Sequence, residues 1–251
     1  SIESDMSIDQ QARRRGLSGT EETATPSGRS TKSYLFGPVV IQLRQEQGVW
    51  ELTPHGLTLA EGMVKAQQAL VGQSVLEVGV GSGAHSILAL KLGARALDGT
   101  DIEERSLSLA RENAARNSVA IRSLSLQNWL NFTPERKYDT LICNPPFCKS
   151  GTPDRRQFIK DLILQAPDFL HRGGHLLFVQ SSMADFPKTE RELGEAGFHF
   201  DVILQKQFLF RDYYFEEPGF IEESRQVPGG FKEVDGHLIE QLRVYWATRT
   251  S

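Results

Sequence analysis

The run Asn144-Pro145-Pro146-Phe147 follows Leu141-Ile142-Cys143, an apolar stretch of strand character. Two consecutive prolines donate no ladder hydrogen bonds, so a strand must stop there, and they stiffen a turn whose carbonyls face outward. The Asn144 side-chain oxygen and the Pro145 carbonyl are two acceptors, enough for both hydrogens of a planar NH2 group. Held that way, the nitrogen's lone pair is aimed at an electrophile across a cleft. Phe147 offers a ring face to a flat amide, guanidine or base. Read by itself, the same run is also an ordinary proline-rich strand end.

A second constellation precedes it. Val75-Leu76-Glu77-Val78-Gly79-Val80-Gly81-Ser82-Gly83 ends an apolar run and opens a helical one. Glycines let backbone approach a ligand where a Cβ would clash, and the following helix N-terminus presents unpaired N–H groups. A tight strand-to-helix turn has the same composition. The spacing is G-x-G-x-G and not the G-x-G-x-x-G of dinucleotide sites, which opposes a nicotinamide-dependent oxidoreductase. The next strand-like run ends in Gly99-Thr100-Asp101, with Asp101 18 positions after Gly83. A carboxylate at that tip can accept both hydroxyls of a ribose.

These groups need a sheet to bring them to one edge. Strand-like runs at 73–80, 94–101, 119–126, 138–143 and 175–180 alternate with helical runs at 84–92, 103–117, 157–171 and 188–196. Such alternation builds a mostly parallel sheet covered on both faces. The last two strands, 198–209 and 238–248, have no helical stretch between them and are expected to pair antiparallel at one edge. The fold class is therefore α/β, Rossmann-like and doubly wound, with a mostly parallel seven-stranded sheet and an antiparallel last strand. Ahead of it, 1–33 reads as a polar leader, with Arg13-Arg14-Arg15 a solvated stretch or a phosphate-binding arm. Residues 34–71 read as a cap, with a hairpin over 38–52 turning at Gln47-Gly48 and a helix over 58–70. Residues 72–251 form the main domain.

Composition narrows the function classes. The 251 residues carry 28 basic and 32 acidic side chains, a net charge of −4 that speaks against a dedicated nucleic-acid clamp. No apolar run reaches the roughly 20 residues of a membrane helix. Cys143 and Cys148 are too few for a disulfide framework and, with the six scattered histidines, too few for a recognisable metal site; a cytoplasmic protein without a metal is expected. His85 fits either a cofactor contact or a surface helix position.

Together the motifs resemble class I S-adenosylmethionine-dependent methyltransferases. Within them the chain is similar to the Asn-Pro-Pro-aromatic branch that methylates nitrogen, which includes release-factor glutamine, guanine-N2 RNA and adenine-N6 methyltransferases. The resemblance rests on Leu76 to Gly83, Gly99-Thr100-Asp101-Ile102, the helix through Ala110 to Asn117, and Asn144 to Phe147. It implies S-adenosyl-L-methionine as cofactor. Glu77, Gly79, Gly81 and Gly83 would face its methionine part, Asp101 its ribose and Ile102 its adenine. Asn128 stands where many relatives have an acid and can still bond an adenine amine; Trp129 fits either a cover for the adenine or a core position. Asn144, Pro145 and Phe147 would serve the reaction, with Pro146 on the substrate side.

The acceptor is expected to be a protein side chain or a small molecule bearing an amide, amine or guanidine nitrogen, ahead of nucleic acid. A non-catalytic cofactor-binding module is the remaining alternative, and no oligomeric state is implied. The insert 211–236 is too long for a tight hairpin and is read as surface packing or a substrate lid. As a lid, Tyr213, Tyr214 and Phe215 would cover a flat acceptor, and Glu216 and Glu217 would draw a cationic one.

Overall fold

The structure is a computed structural model in which residues 22–24, 30–45, 52–147 and 154–251 are described. Its centre is β4 (Ser74–Val78), all five of whose residues are buried. An apolar strand without polar alternation can be satisfied only by cover on both faces, which is the position of a central parallel strand. β4 pairs in parallel with β5 (Ala96–Asp101) on one side and β7 (Tyr138–Cys143) on the other. β6 (Ser123–Leu126) lies beyond β5 and β8 (Leu170–Ser181) beyond β7, both parallel. β11 (His237–Arg249) then runs antiparallel between β8 and β9 (Phe198–Leu209), as expected of two strands without a crossover helix. A three-residue strand, β10 (Lys232–Val234), pairs with the start of β11 and makes the sheet eight-stranded, one more than the seven read from sequence.

Helices cover both faces. Alternate residues of β7 show the division: Ile142 packs with α1 (Pro54–Lys65) and α2 (Ala84–Lys91), while Leu141 and Cys143 pack with α4 (Gln157–Phe169) and α5 (Phe186–Glu195). α3 (Glu104–Arg116) closes the edge near β5, its Leu107 and Ala110 against Val80. The chain leaves β4 toward β5 but places β7 on the opposite side. The loops after β4 and β7 therefore diverge and leave a crevice at the strand C-termini.

The N-terminal segment differs from expectation. Its hairpin joins β2 (Ser30–Phe36) to β3 (Val39–Gln45), turning at Gly37-Pro38 with Gly37 at φ +56°. A short β1 (Glu22–Ala24) pairs with β2, so strand structure begins inside the stretch read as a leader. Arg13, Arg14, Arg15, Gln47, Gly48 and Cys148 lie outside the described residues. The hairpin is docked by two asparagines one turn apart on the surface of α3 or at its end. Asn117 accepts from the Gln42 N–H at 2.9 Å and donates to its carbonyl at 2.7 Å; Asn113 accepts from the Arg44 N–H at 2.7 Å and donates to its carbonyl at 3.1 Å. Each amide mimics a strand residue and satisfies the edge of β3.

α1 starts at Pro54, ahead of the expected start at 58. Thr53 caps it by accepting from the Gly56 N–H, and proline at the first helical position costs no hydrogen bond. The insert after β9 is structured, with α6 (Asp212–Glu216) and α7 (Phe220–Arg225) leading to β10. Tyr214 and Phe220 are buried with Met183 and Phe210 in a separate apolar cluster. Arg155 clamps the insert by donating to the Pro218 carbonyl and to Glu223. It is a packed wall and not a free loop. Among the described residues, no helix is long and apolar enough to cross a membrane.

Candidate active site

The crevice is a cleft of about 350 Å³. Its floor is the glycine loop after β4. Gly79, Gly81 and Gly83 all have positive φ (+79°, +52° and +88°), which side-chain-bearing residues adopt only with strain. Gly79 and Val80 donate N–H groups to the Thr100 carbonyl at 2.9 and 3.0 Å, tying the loop to β5. A Cβ placed on Gly79 would meet nothing within 4 Å, so its bare backbone stands open to the cleft.

Gly83 has a different role from the one expected. A Cβ there would lie 3.1 Å from Ala110 Cα, and Gly83 is not in the cleft wall; it lets α2 and α3 pack closely. Glu77, too, lies outside the cleft wall. It is buried beneath the loop, where its Oε1 accepts from the Ser86 N–H at 3.1 Å and the Ser86 hydroxyl at 2.7 Å. Its Oε2 lies 3.3 Å from His85 Nδ1. His85 Nε2 is 2.8 Å from the Gly56 carbonyl. Burial works against a charged imidazole, but Glu77 and the Gly56 carbonyl outweigh it and raise the His85 pKa. His85 thus lies in the cleft wall and joins α1 to the loop; it is not a surface residue.

Asp101 ends β5 in the cleft wall. Its Oδ2 accepts from the Gly81 N–H and its Oδ1 from the Glu103 N–H, each at 3.0 Å. Each carboxylate oxygen keeps a further lone pair for a diol. Ile102, 63% exposed, and Asn128 and Trp129 after β6 line the neighbouring wall. Trp129 holds φ +55°, an outlier for a bulky side chain, and its ring sits edge-on to Phe158 at 5.0 Å. Its buried Nε1–H has no partner among the described residues. An open glycine backbone, a fixed carboxylate and an unused indole donor together suit a ligand with a charged amino-acid end, a ribose and a flat base.

Asn144, Pro145, Pro146 and Phe147 also line the cleft, together with Tyr213 and Tyr214 of the insert. Among the described residues, neither the Asn144 side chain nor the Pro145 carbonyl makes a hydrogen bond. The Phe147 ring meets Phe220 edge-on at 5.6 Å, which fixes it from the insert's side. Phe215 is not part of this wall: it is 59% exposed, beside Phe210. The expected carboxylates do not face the acceptor either. Glu216 is exposed, and Glu217 lies 3.9 Å from Arg155. The charged residue that the insert places in the cleft is Arg211.

Two further groups here carried no sequence signal. His55, in the first turn of α1, lines the cleft, and its Nε2 is 3.8 Å from Glu240 Oε1. Desolvation, aided by the Arg211 charge, lowers its pKa to about 3, so its imidazole is neutral. Glu240, buried on β11, accepts from the Tyr214 hydroxyl at 3.1 Å. Desolvation outweighs that bond and Arg211, raising its pKa to about 8. The Thr53-Pro54 helix start was readable and would have placed His55 on the first turn of a helix. Glu240 shares no spacing with any of these residues.

Residues 58–207 match the family model described as the methyltransferase small domain. A Methanocaldococcus jannaschii protein, named "Putative protein N5-glutamine methyltransferase", is 28% identical over 187 residues, covering 68% of this chain and 92% of the relative. The ribosomal protein L11 methyltransferase of Lactobacillus delbrueckii subsp. bulgaricus is 31% identical over 165 residues, but this chain spans only 49% of its length. Among solved structures, the T. thermophilus 16S rRNA N2 G1207 methyltransferase in complex with AdoMet and guanosine superposes with a TM-score of 0.62 at 19% identity. The match covers 90% of this chain and 52% of that one, and shows the common fold. With the model matching more than half of its length, this chain belongs to the methyltransferase small domain family and is a class I S-adenosylmethionine-dependent methyltransferase.

Proposed function

We propose that this methyltransferase acts on a neutral, planar NH2 group, an amide or an aryl amine, presented by a protein side chain or a small molecule. The observation that carries the reading is the pair of unengaged acceptors, the Asn144 side chain and the Pro145 carbonyl, in the wall of the cleft that also holds the glycine loop and Asp101. The relative named as a glutamine methyltransferase, matched over 92% of its length, supports an amide. A cationic amine or guanidine is disfavoured by Arg211 in the same wall.

The residues divide the work. Gly79, Gly81, Asp101, Ile102, Asn128 and Trp129 would hold the cofactor, which supplies an electrophilic methyl group on a sulfonium. Asn144 and Pro145 would each accept one hydrogen of the acceptor's NH2, while Phe147 and Pro146 bound its plane. An amide nitrogen is a poor nucleophile because its lone pair is delocalised. The protein's first contribution is alignment, holding the nitrogen at about 3–3.5 Å from the carbon it attacks. As the lone pair is spent, the nitrogen gains positive charge and its N–H groups become stronger donors. Asn144 and Pro145 then bind the transition state more tightly than the ground state. No residue need form a covalent bond: the carbon–sulfur bond would break as the nitrogen–carbon bond forms, leaving a neutral thioether, and the methylated nitrogen would return to neutrality by releasing one of its two protons to solvent.

Transfer of a labelled methyl group should be measured to three acceptor sets: glutamine-containing peptides, small amides and aryl amines, and RNA. Label on an amide or amino nitrogen of the first two sets is the expected result. Label confined to RNA would replace the acceptor assignment, and cofactor binding without transfer to any set would leave a binding module.

A further inference from the structure

Arg211 lies in the wall of the cleft, two residues after β9, and makes no ion pair among the described residues. Its Cζ lies 4.5 Å from the centre of the Tyr213 ring, and Nη1 is 3.5 Å from the Tyr213 hydroxyl. These contacts orient the fork but do not neutralise it. Other partly buried arginines of this chain face carboxylates: Arg155 faces Glu223, Arg156 faces Glu192 and Arg243 faces Glu190. Arg211 pairs with none among the described residues.

The groups around it do not supply the missing charge. Glu240 is buried, and its Oε1 accepts from the Tyr214 hydroxyl. It is protonated at neutral pH, since burial raises its pKa to about 8. His55 beside it is neutral. The acids on and between α6 and α7 do not supply it either: Glu217 and Glu223 lie with Arg155, and Asp212, Glu216 and Glu222 are exposed, none in an ion pair with Arg211 among the described residues. A half-buried planar cation with five donors, kept unpaired in a cleft, matches an oxyanion bidentately.

We propose that Arg211, oriented by the Tyr213 ring, is a specificity residue that binds an oxyanion, a carboxylate or phosphate, carried by the methyl acceptor alongside its NH2 group. This deepens the function proposed above and rests on the same cleft. The acceptor is then a small molecule or chain end with two handles: a planar NH2 on Asn144 and Pro145, and an anionic group on Arg211.

The probes are benzoate, phenyl phosphate and benzyl alcohol, each a single benzene ring bearing an anion or a neutral hydroxyl and no NH2 group. Each is titrated by NMR into the protein saturated with S-adenosylhomocysteine. Benzoate or phenyl phosphate should bind at least about 10-fold more tightly than benzyl alcohol, and added salt should weaken the anions alone. Arg211→Gln should remove the preference while keeping S-adenosylhomocysteine affinity, which also shows that the variant is folded; Arg211→Lys should keep part of it. Which anion binds better identifies the group on the acceptor. Equal binding of benzyl alcohol and benzoate, no anion binding at all, or a preference that survives Arg211→Gln would overturn the inference. Failure of S-adenosylhomocysteine to bind the unaltered protein would instead strike the reading of the whole cleft.

Discussion

The Asp101 carboxylate accepts the Gly81 N–H at 3.0 Å, so the acid that ends β5 and the loop that ends β4 are one unit. Its other oxygen takes the Glu103 N–H, also at 3.0 Å. The carboxylate therefore has a fixed direction before any ligand arrives, and ordering it costs little on binding.

Asp101→Ala is accordingly expected to weaken the cofactor by roughly 1.5–3 kcal/mol, the worth of a hydrogen bond to a charged group. The loss should appear in calorimetric affinity, while turnover at saturating cofactor changes little. Affinity equal to that of the unaltered protein would place the ribose elsewhere.

Asn113 links the hairpin to the cleft floor. Besides its two bonds to Arg44, it donates to the Ser82 carbonyl in the glycine loop at 2.8 Å. Asn113→Ala leaves these backbone groups without partners and is expected to cost about 1–3 kcal/mol in urea denaturation. A denaturation midpoint unchanged from the parent would mean that the hairpin docks without it.

How far these features could be read in advance depended on their spacing. Asn144-Pro145-Pro146-Phe147 and the glycine loop are contiguous, and Asp101 ends the strand after the loop's helix, so alternation alone brought them to one edge. The role of each glycine was not readable, because Gly79 and Gly83 differ only in what lies opposite, open cleft or Ala110. Gln47-Gly48 lies outside the described residues; the described hairpin turns at Gly37-Pro38, which sets Ile41 and Leu43 into the core and leaves the β3 edge to Asn113 and Asn117. His55, Arg211 and Glu240 come from the first turn of α1, the loop after β9 and the N-terminal part of β11. Only the completed sheet puts them together.

Glu240 gives a pH prediction. Its pKa rises from 4.5 to about 8 on folding, chiefly by desolvation, so the folded state holds this proton more tightly than the unfolded chain. That contribution to stability is fully present below the unfolded value and is lost as pH rises through about 8. Glu240→Gln keeps an acceptor for Tyr214 and removes the titration. The variant's Tm advantage over the parent should therefore grow from about pH 5 to about pH 8 and level off above it. A Tm difference that is flat across this range would mean Glu240 is charged in the fold.

The account turns on Asn144. Losing one hydrogen-bond partner that acts mainly in the transition state costs about 2.7–4 kcal/mol, or roughly 10²–10³ in rate. The most direct measurement is single-turnover methyl transfer by Asn144→Ala at saturating cofactor, with cofactor affinity measured on the same protein. The account predicts a rate at least about 100-fold lower with cofactor affinity unchanged. A rate within a few-fold of the parent would contradict it, because the acceptor's NH2 would then be held by some other part of the cleft.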